Sequence, residues 1–266
     1  MTNSKVSIIT VNLNNADGLI DTIRSVLSQT YNNYEFIIID GGSNDESKNI
    51  IELYSGSFAY WCSERDGGIY FGMNKGLEHV TGEYVIFLNS GDCFVNKNVL
   101  EKVFRNTNYT EDIIVGRQQY ILKSGRHSKS RRINPDEVDS LFFWGNTLPH
   151  QCTFVKSVLF RKLGGYNTDY RIVSDWIFWY RAVRELKVTI RSVNILISIM
   201  QPGGISSSPE EYRSEVVHFL MSQINDLTER DWREIIDRCH GSYQLTCATR
   251  NGLGKLLVKI AKFINK

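Results

Sequence analysis

Val6-Ser-Ile-Ile-Thr-Val11, Glu35-Phe-Ile-Ile-Ile-Asp40 and Tyr84-Val-Ile-Phe-Leu88 decide the fold. Each run is apolar without alternation, the pattern of a strand buried on both faces. Between them, Asn15–Gln29 places Leu19, Ile20, Ile23, Val26 and Leu27 at helical spacing. Asp45–Tyr54 and Ile69–His79 read as two further helices, and Phe58–Cys62 as a short strand. Strands that alternate with helices predict an α/β fold: a Rossmann-like, mostly parallel central sheet flanked by helices. Functional groups of such sheets gather at the carboxyl ends of the strands.

Past residue 110 the pattern changes. Asp112–Leu122 and Arg126–Ile133 read as a hairpin around Lys123-Ser-Gly125. Val155–Leu163 and Asp175–Leu186 read as helices, and Val188–Met200 has strand character. Helices over Pro209–Leu227 and Asp231–Cys239 follow. The expected organisation is therefore one domain over 1–208, with a 1–110 half and a 111–208 half. A helical extension over 209–266 follows it.

The bulk numbers exclude several classes. A chain of 266 residues with 42% hydrophobic residues can bury a real core. A net charge of +2 argues against a nucleic-acid partner. Five cysteines stand at 62, 93, 152, 239 and 247, an odd and scattered set, which reads as reduced thiols in a cytosolic protein. The histidines at 79, 127, 150, 218 and 240 show no zinc spacing. The N-terminus reads as a strand, not as a leader, and no apolar run approaches the roughly 20 residues that span a bilayer.

Three segments carry chemistry. Asp40 ends a buried strand and opens into Gly41-Gly-Ser-Asn-Asp45, which suits base recognition and a close approach to phosphates. Asn89-Ser-Gly-Asp92 ends another strand, and one carboxylate there could hold Mg²⁺ or Mn²⁺, with substrate oxygens and water completing the shell. Glu64-Arg-Asp-Gly-Gly-Ile-Tyr-Phe-Gly-Met-Asn-Lys-Gly76 puts charges in a loop before a helix, where Lys75 could pair with a phosphate. Taken singly, each of the three also reads as a turn or a solvated surface, and for Asn89–Asp92 and Lys75 that plain reading is the preferred one.

Together, in this order, they resemble the family 2 glycosyltransferases of GT-A fold. The likeness runs through Val6–Asn12, Ser25–Tyr31, Phe36–Ser43, Glu64–Gly76 and Gly82–Asp92. It resumes at Pro149-His-Gln151, Leu163-Gly-Gly-Tyr166, Ser174-Asp-Trp176 and Gly203-Gly-Ile-Ser206. The branch it looks most like builds bacterial O-antigens, capsules and exopolysaccharides.

That resemblance implies site roles. Thr10, Asn12, Asp40 and Gly42 would line the nucleoside pocket, with Asp40 on the base. Asp66, Asn74 and Lys75 would close over the nucleotide, with Asn89 and Ser90 beside it. Asp92 would hold the Mn²⁺ or Mg²⁺ cofactor and Asp175 would be the general base. His150, Gln151 and Trp176 would border the sugar and acceptor. Here the family's acidic pair is reduced to one carboxylate, Phe71-Gly72 replaces an Asp-Ala, and Ser174 precedes Asp175 in place of a glutamate.

The implied activity is that of an inverting hexosyltransferase. A nucleotide-sugar donor, UDP-linked, gives its sugar to a hydroxyl of a lipid-linked saccharide acceptor. Alternatives are a sugar nucleotidyltransferase, whose glycine-rich loop after the first strand is missing at Asn12-Leu-Asn-Asn15, and a non-catalytic carbohydrate-binding or scaffold protein. Gly203–Ser208 reads as a loop over the donor. The tail 252–266 sets Lys255, Lys259, Lys262 and Lys266 against a face of Leu253, Leu256, Leu257, Ile260 and Ile264. This predicts an in-plane helix on an anionic membrane, on the inner face of the cell membrane, the alternative being a helix packed on the domain or on a second subunit. The helices after residue 209 could also form a homodimer contact.

Overall fold

The computed structural model describes residues 4–121, 126–140, 142–144, 146–200 and 209–223. The chain divides into two compact units, Met1–Gly204 and Ile205–Lys266. Within the second, one helix is described, Pro209–Ser222. The Lys123–Gly125 turn, the Gly203–Ser208 loop, the Asp231–Cys239 helix and the 252–266 tail lie outside the described residues. Among the described residues, no helix is long and apolar enough to cross a membrane.

The first unit is built on one sheet. Its strands are β1 (Val6–Asn12), β2 (Tyr34–Asp40), β3 (Tyr60–Ser63), β4 (Tyr84–Phe87), β5 (Cys93–Phe94), β6 (Ile113–Ile121), β7 (His127–Lys129), β8 (Thr153–Lys156) and β9 (Ile190–Met200). The order is β3-β2-β1-β4-β8-β6-β9-β5, with β7 paired to β6. The run β3-β2-β1-β4 is parallel, as the continuous apolar strands predict. β8 then enters antiparallel to both β4 and β6, so the sheet beyond β4 is mixed. The 112–133 hairpin forms as β6 and β7.

The helices are α1 (Ala16–Leu27), α2 (Ser47–Tyr54), α3 (Ile69–Leu77), α4 (Val99–Phe104), α5 (Ser157–Leu163) and α6 (Ser174–Leu186). Asn15 caps α1, its side chain accepting from the Gly18 amide at 3.2 Å. Leu19, Ile23 and Val26 of α1, Ile51 of α2 and Val99–Phe104 of α4 pack with Ile8, Ile38 and Ile86 on one sheet face. On the other face α3 lies on β1 and β2. It approaches closely there: a Cβ on Gly76 would meet Ile9 Cγ2 at 2.6 Å, so only hydrogen fits.

Two local expectations change. Val155 and Lys156 belong to a strand, and the helix starts only at Ser157. Val155 pairs with Val85 on one side and Ile113 on the other, and this pairing outweighs its helical spacing to Leu159 and Leu163. The two-residue strand β5 and the six-residue helix α4 are too short to leave a periodic signal.

Candidate active site

The parallel register sets Asn12 beside Asp40 and Asp40 beside Ser63 at the carboxyl ends of β1, β2 and β3. Asp40 is fully buried. Its carboxylate accepts from Asn12 Nδ2 at 2.7 Å, Ser43 Oγ at 2.5 Å, Ser63 Oγ at 2.7 Å and the Ser43 amide at 3.0 Å. Burial alone would raise its pKa, but these four donors hold it below the ordinary carboxylate value. Gly42 makes the turn that delivers Ser43, with φ at +80° and the Arg65 backbone where a side chain would start. A base can reach the Asp40 carboxylate only by displacing one of its donors. Asn12 offers more: its Oδ1 is buried without a partner.

Thr10 contributes no group to that pocket. It is fully buried, and its hydroxyl donates to the Leu88 carbonyl at 2.6 Å, tying β1 to the end of β4. Asp66 does reach the mouth. It accepts from the Gly68 amide at 2.9 Å, and its Oδ2 occupies the space over Gly41. Lys75 is ion-paired with the exposed Glu64. Asn74 faces elsewhere: its Nδ2 donates to the Tyr166 carbonyl and its Oδ1 accepts from the Tyr166 amide, both at 2.8 Å. Its amide is satisfied by backbone, so it staples α3 to the turn after α5.

The segment Asn89–Asp92 leaves β4 as a bonded turn. The Ser90 amide donates to the Val11 carbonyl at 3.1 Å and the Asp92 amide to the Asn89 carbonyl at 2.8 Å. Asn15 Nδ2 donates to the Ser90 carbonyl at 3.0 Å. Asp92 is 8% exposed, and burial raises its pKa to about 6, against the pull of His150 and a hydrogen bond from Gln151. A carboxylate that water and protein leave so poorly stabilised suits a cation. Asn89 Oδ1 on the same turn is buried without a partner. Among the described residues no group of three or more His, Cys, Asp or Glu side chains is placed to hold a metal ion. Such a sparse, all-oxygen set fits a hard divalent cation that draws its other ligands from substrate and water.

The second half of the sheet brings the remaining groups. His150, in a 3-10 turn before β8, has its Nδ1 3.0 Å from Asp175 Oδ2 and its Nε2 3.5 Å from Asn89 Nδ2. Burial would lower the imidazole pKa, but the hydrogen bond and charge of Asp175, with the charge of Asp92, raise it above the ordinary value. Asp175 lies in the first turn of α6, and its Oδ1 accepts from the Trp176 amide at 2.9 Å. Trp176 itself is core. It is 2% exposed, stacks on Tyr180 and donates Nε1 to the Phe143 carbonyl at 3.0 Å, so it offers no face to a sugar.

The structure thus gathers Asn89, Asp92, His150, Gln151 and Asp175 in one cluster, and Asn12, Asp40, Gly42 and Asp66 in another beside it. Ser43, Ser63 and Tyr70 were not singled out from sequence. Ser63 was findable, since it ends β3 in register with Asp40. Tyr70 stands one helical turn before Asn74, and its hydroxyl lies 2.9 Å from Asp175 Oδ1.

Known proteins share this architecture. A glycosyltransferase of Mycobacterium tuberculosis is 34% identical over 200 residues, covering 71% of this chain and 72% of its own. The structure of S. aureus TarS 1–349 in complex with UDP-GlcNAc aligns with a TM-score of 0.64 at 18% identity, over 92% of this chain and 75% of that one. The mannosyltransferase PcManGT from Pyrobaculum calidifontis, in complex with GDP-Man and Mn²⁺, aligns with a TM-score of 0.62 at 15% identity, over 100% and 81%. These likenesses show the GT-A fold. Residues 7–166 match the family described as Glycosyl transferase family 2. The chain belongs to that family.

Proposed function

We propose that this glycosyltransferase transfers a sugar from a UDP-linked donor, with inversion, to a hydroxyl of a lipid-linked saccharide in surface polysaccharide synthesis. The observation that carries this reading is the meeting of two carboxylates on His150: Asp92 from the end of β4 and Asp175 from the start of α6. One is buried and poorly stabilised, suited to a cation. The other is oriented by three hydrogen-bond partners, His150, Trp176 and Tyr70, and is suited to a base. UDP-GlcNAc and GDP-Man in the two structural neighbours support a nucleotide-sugar donor.

The base and ribose lie along Asn12, Asp40, Gly42 and Asp66, where Asn12 Oδ1 awaits a donor. Asn89 and Ser90 border the diphosphate. As the nucleoside diphosphate leaves, negative charge grows on its oxygens. Lys75 turns to it from Glu64, an exposed partner whose loss costs at most about 1 kcal/mol. Asp92, with Asn89 Oδ1 beside it, would hold Mn²⁺ or Mg²⁺, which would further stabilise that charge. Asp175 takes the proton of the acceptor hydroxyl, which attacks the anomeric carbon from the face opposite the diphosphate. Gln151 borders the acceptor.

The basic amphipathic tail 252–266 serves as an in-plane anchor on the cytoplasmic face of the membrane, where lipid-linked acceptors are found. Its removal is expected to release the protein from vesicles of anionic lipid. The function is tested by a screen of UDP-, GDP- and dTDP-sugars against a lipid-linked saccharide acceptor, read by mass spectrometry. Transfer from a UDP-sugar with inverted configuration is the expected result. A retained configuration, or a nucleoside triphosphate consumed in place of a donor sugar, overturns the proposal.

A further inference from the structure

Tyr70 has no part in the mechanism above, yet it touches the base. It sits in the first turn of α3, 6% exposed, with its ring 5.4 Å from that of Tyr166. Its hydroxyl oxygen lies 2.9 Å from Asp175 Oδ1 and 2.6 Å from the Ile172 carbonyl oxygen. A phenol has one proton to donate and lone pairs to accept with. Both neighbours are acceptors while Asp175 is ionised, so a single proton faces two claims.

We propose that Tyr70 is the positioning residue of the general base, holding Asp175 in place both before and after proton transfer. With Asp175 ionised, the phenol donates to Oδ1. When the acceptor hydroxyl gives its proton to Asp175, its oxygen bonds to the anomeric carbon. The bond to the diphosphate breaks, and its electron pair leaves with the nucleoside diphosphate. The carboxyl is then neutral and can donate to the Tyr70 oxygen, while the phenol proton turns to the Ile172 carbonyl. One hydroxyl rotation keeps a hydrogen bond to the base in either state. Burial and the charge of Asp175 hold the phenol pKa well above its ordinary value, so Tyr70 stays neutral throughout.

The same helix makes the placement stiff. Asn74, one turn after Tyr70, grips the Tyr166 backbone through both ends of its amide. α3 also carries Lys75 of the donor side, so the donor side and the residue that holds the base share one helix. Among the described residues, titratable groups that act on Asp175 include His150 from the turn before β8, Tyr70 from α3 and Tyr166 from the turn after α5. Asp92 acts on His150 from beyond.

The inference rests on Asp175 being the base, and the test separates the two. Tyr70→Phe and Asp175→Asn are compared in the full chain, with the donor that the sugar-nucleotide screen selects and with UDP binding read by calorimetry. Tyr70→Phe is expected to lower kcat on the order of 10- to 100-fold, the range for a slightly misplaced catalytic group. UDP affinity and donor KM should stay within about twofold. Should Asp175→Asn remain active, the base reading itself falls. Should Asp175→Asn be inactive while Tyr70→Phe keeps the wild-type kcat, Tyr70 has no such role. A rise in donor KM alone also overturns the proposal. In case the Phe variant is unstable, 3-fluorotyrosine at position 70 keeps ring and hydroxyl but sharpens the donor. Its kcat should then differ from wild type by a few-fold with donor KM unchanged, and an unmoved kcat rejects the idea.

Discussion

His150 Nδ1 lies 3.0 Å from Asp175 Oδ2, and these two residues come from different elements 25 positions apart. The contact fixes the tautomer: with Nδ1–H donating to the carboxylate, neutral His150 presents Nε2 toward Asn89. It also aims the carboxylate. Asp175→Asn is expected to lower transfer by about 10²- to 10⁴-fold, the usual contribution of a positioned base. His150→Ala, which removes one of the partners that orient Asp175, should cost on the order of 10²-fold. Steady-state kinetics on both variants check this, and unimpaired transfer by Asp175→Asn removes it from the base role.

Asp92 carries the metal assignment almost alone. Asp92→Ala is expected to abolish the dependence of UDP binding on Mn²⁺ in calorimetry and to lower turnover by about 10²- to 10³-fold. Chelation of the wild type should reproduce the turnover loss, and added Mn²⁺ should restore it. If the alanine variant still binds UDP more tightly with Mn²⁺ than without, the cation sits elsewhere.

Asp40 is read as a stability residue as well as a pocket residue. Removing its carboxylate leaves Asn12, Ser43 and Ser63 without their acceptor in a buried site. Asp40→Ala should therefore destabilise the protein by about 3 kcal/mol, seen as a lower midpoint in urea. A midpoint equal to wild type would show that water replaces the carboxylate without loss.

Glu35 makes stability depend on acid. Its side chain is 6% exposed; Oε1 accepts from the Ser7 hydroxyl at 2.5 Å and the Thr81 amide at 2.6 Å, and Oε2 receives Lys5 at 2.7 Å and the Thr81 hydroxyl. Burial works against the charge, but these partners bring the pKa down from 4.5 to about 2. The folded state thus binds this proton more weakly than the unfolded chain does. The resulting stability, about 3 kcal/mol, is complete above pH 4.5, and it is lost as pH falls toward 2. Glu35→Gln should flatten that part of the stability curve in urea titrations at successive pH values. An unchanged slope between pH 4.5 and 2 would place the acid sensitivity in other carboxylates.

Much of the first half, residues 1–110, was legible because its signals are local. Continuous apolar runs gave β1, β2 and β4, helical spacing gave α1 to α3, and the resemblance singled out Asp40, Asp66, Asp92 and Asp175. Which of these side chains face the site was not legible. Thr10 and Trp176 point into the core, and Asn74 is spent on the Tyr166 backbone, because side-chain direction depends on register and packing. Val155 was read as helical because a central strand of four residues has too little length to show a period.

By itself, then, the sequence determined that parallel strands end in Asp40 and Asn89–Asp92 and that helices cover them, since hydrophobic periodicity acts residue by residue along the chain. Only the tertiary structure decided that β8 enters antiparallel beside β4, and that the chain thereby carries His150 and Gln151 to Asp92. It likewise decided that Tyr70 and Asp175, 105 positions apart, share a hydrogen bond. Such meetings depend on which strands pair and how helices dock, and those are settled by burial summed over the whole core.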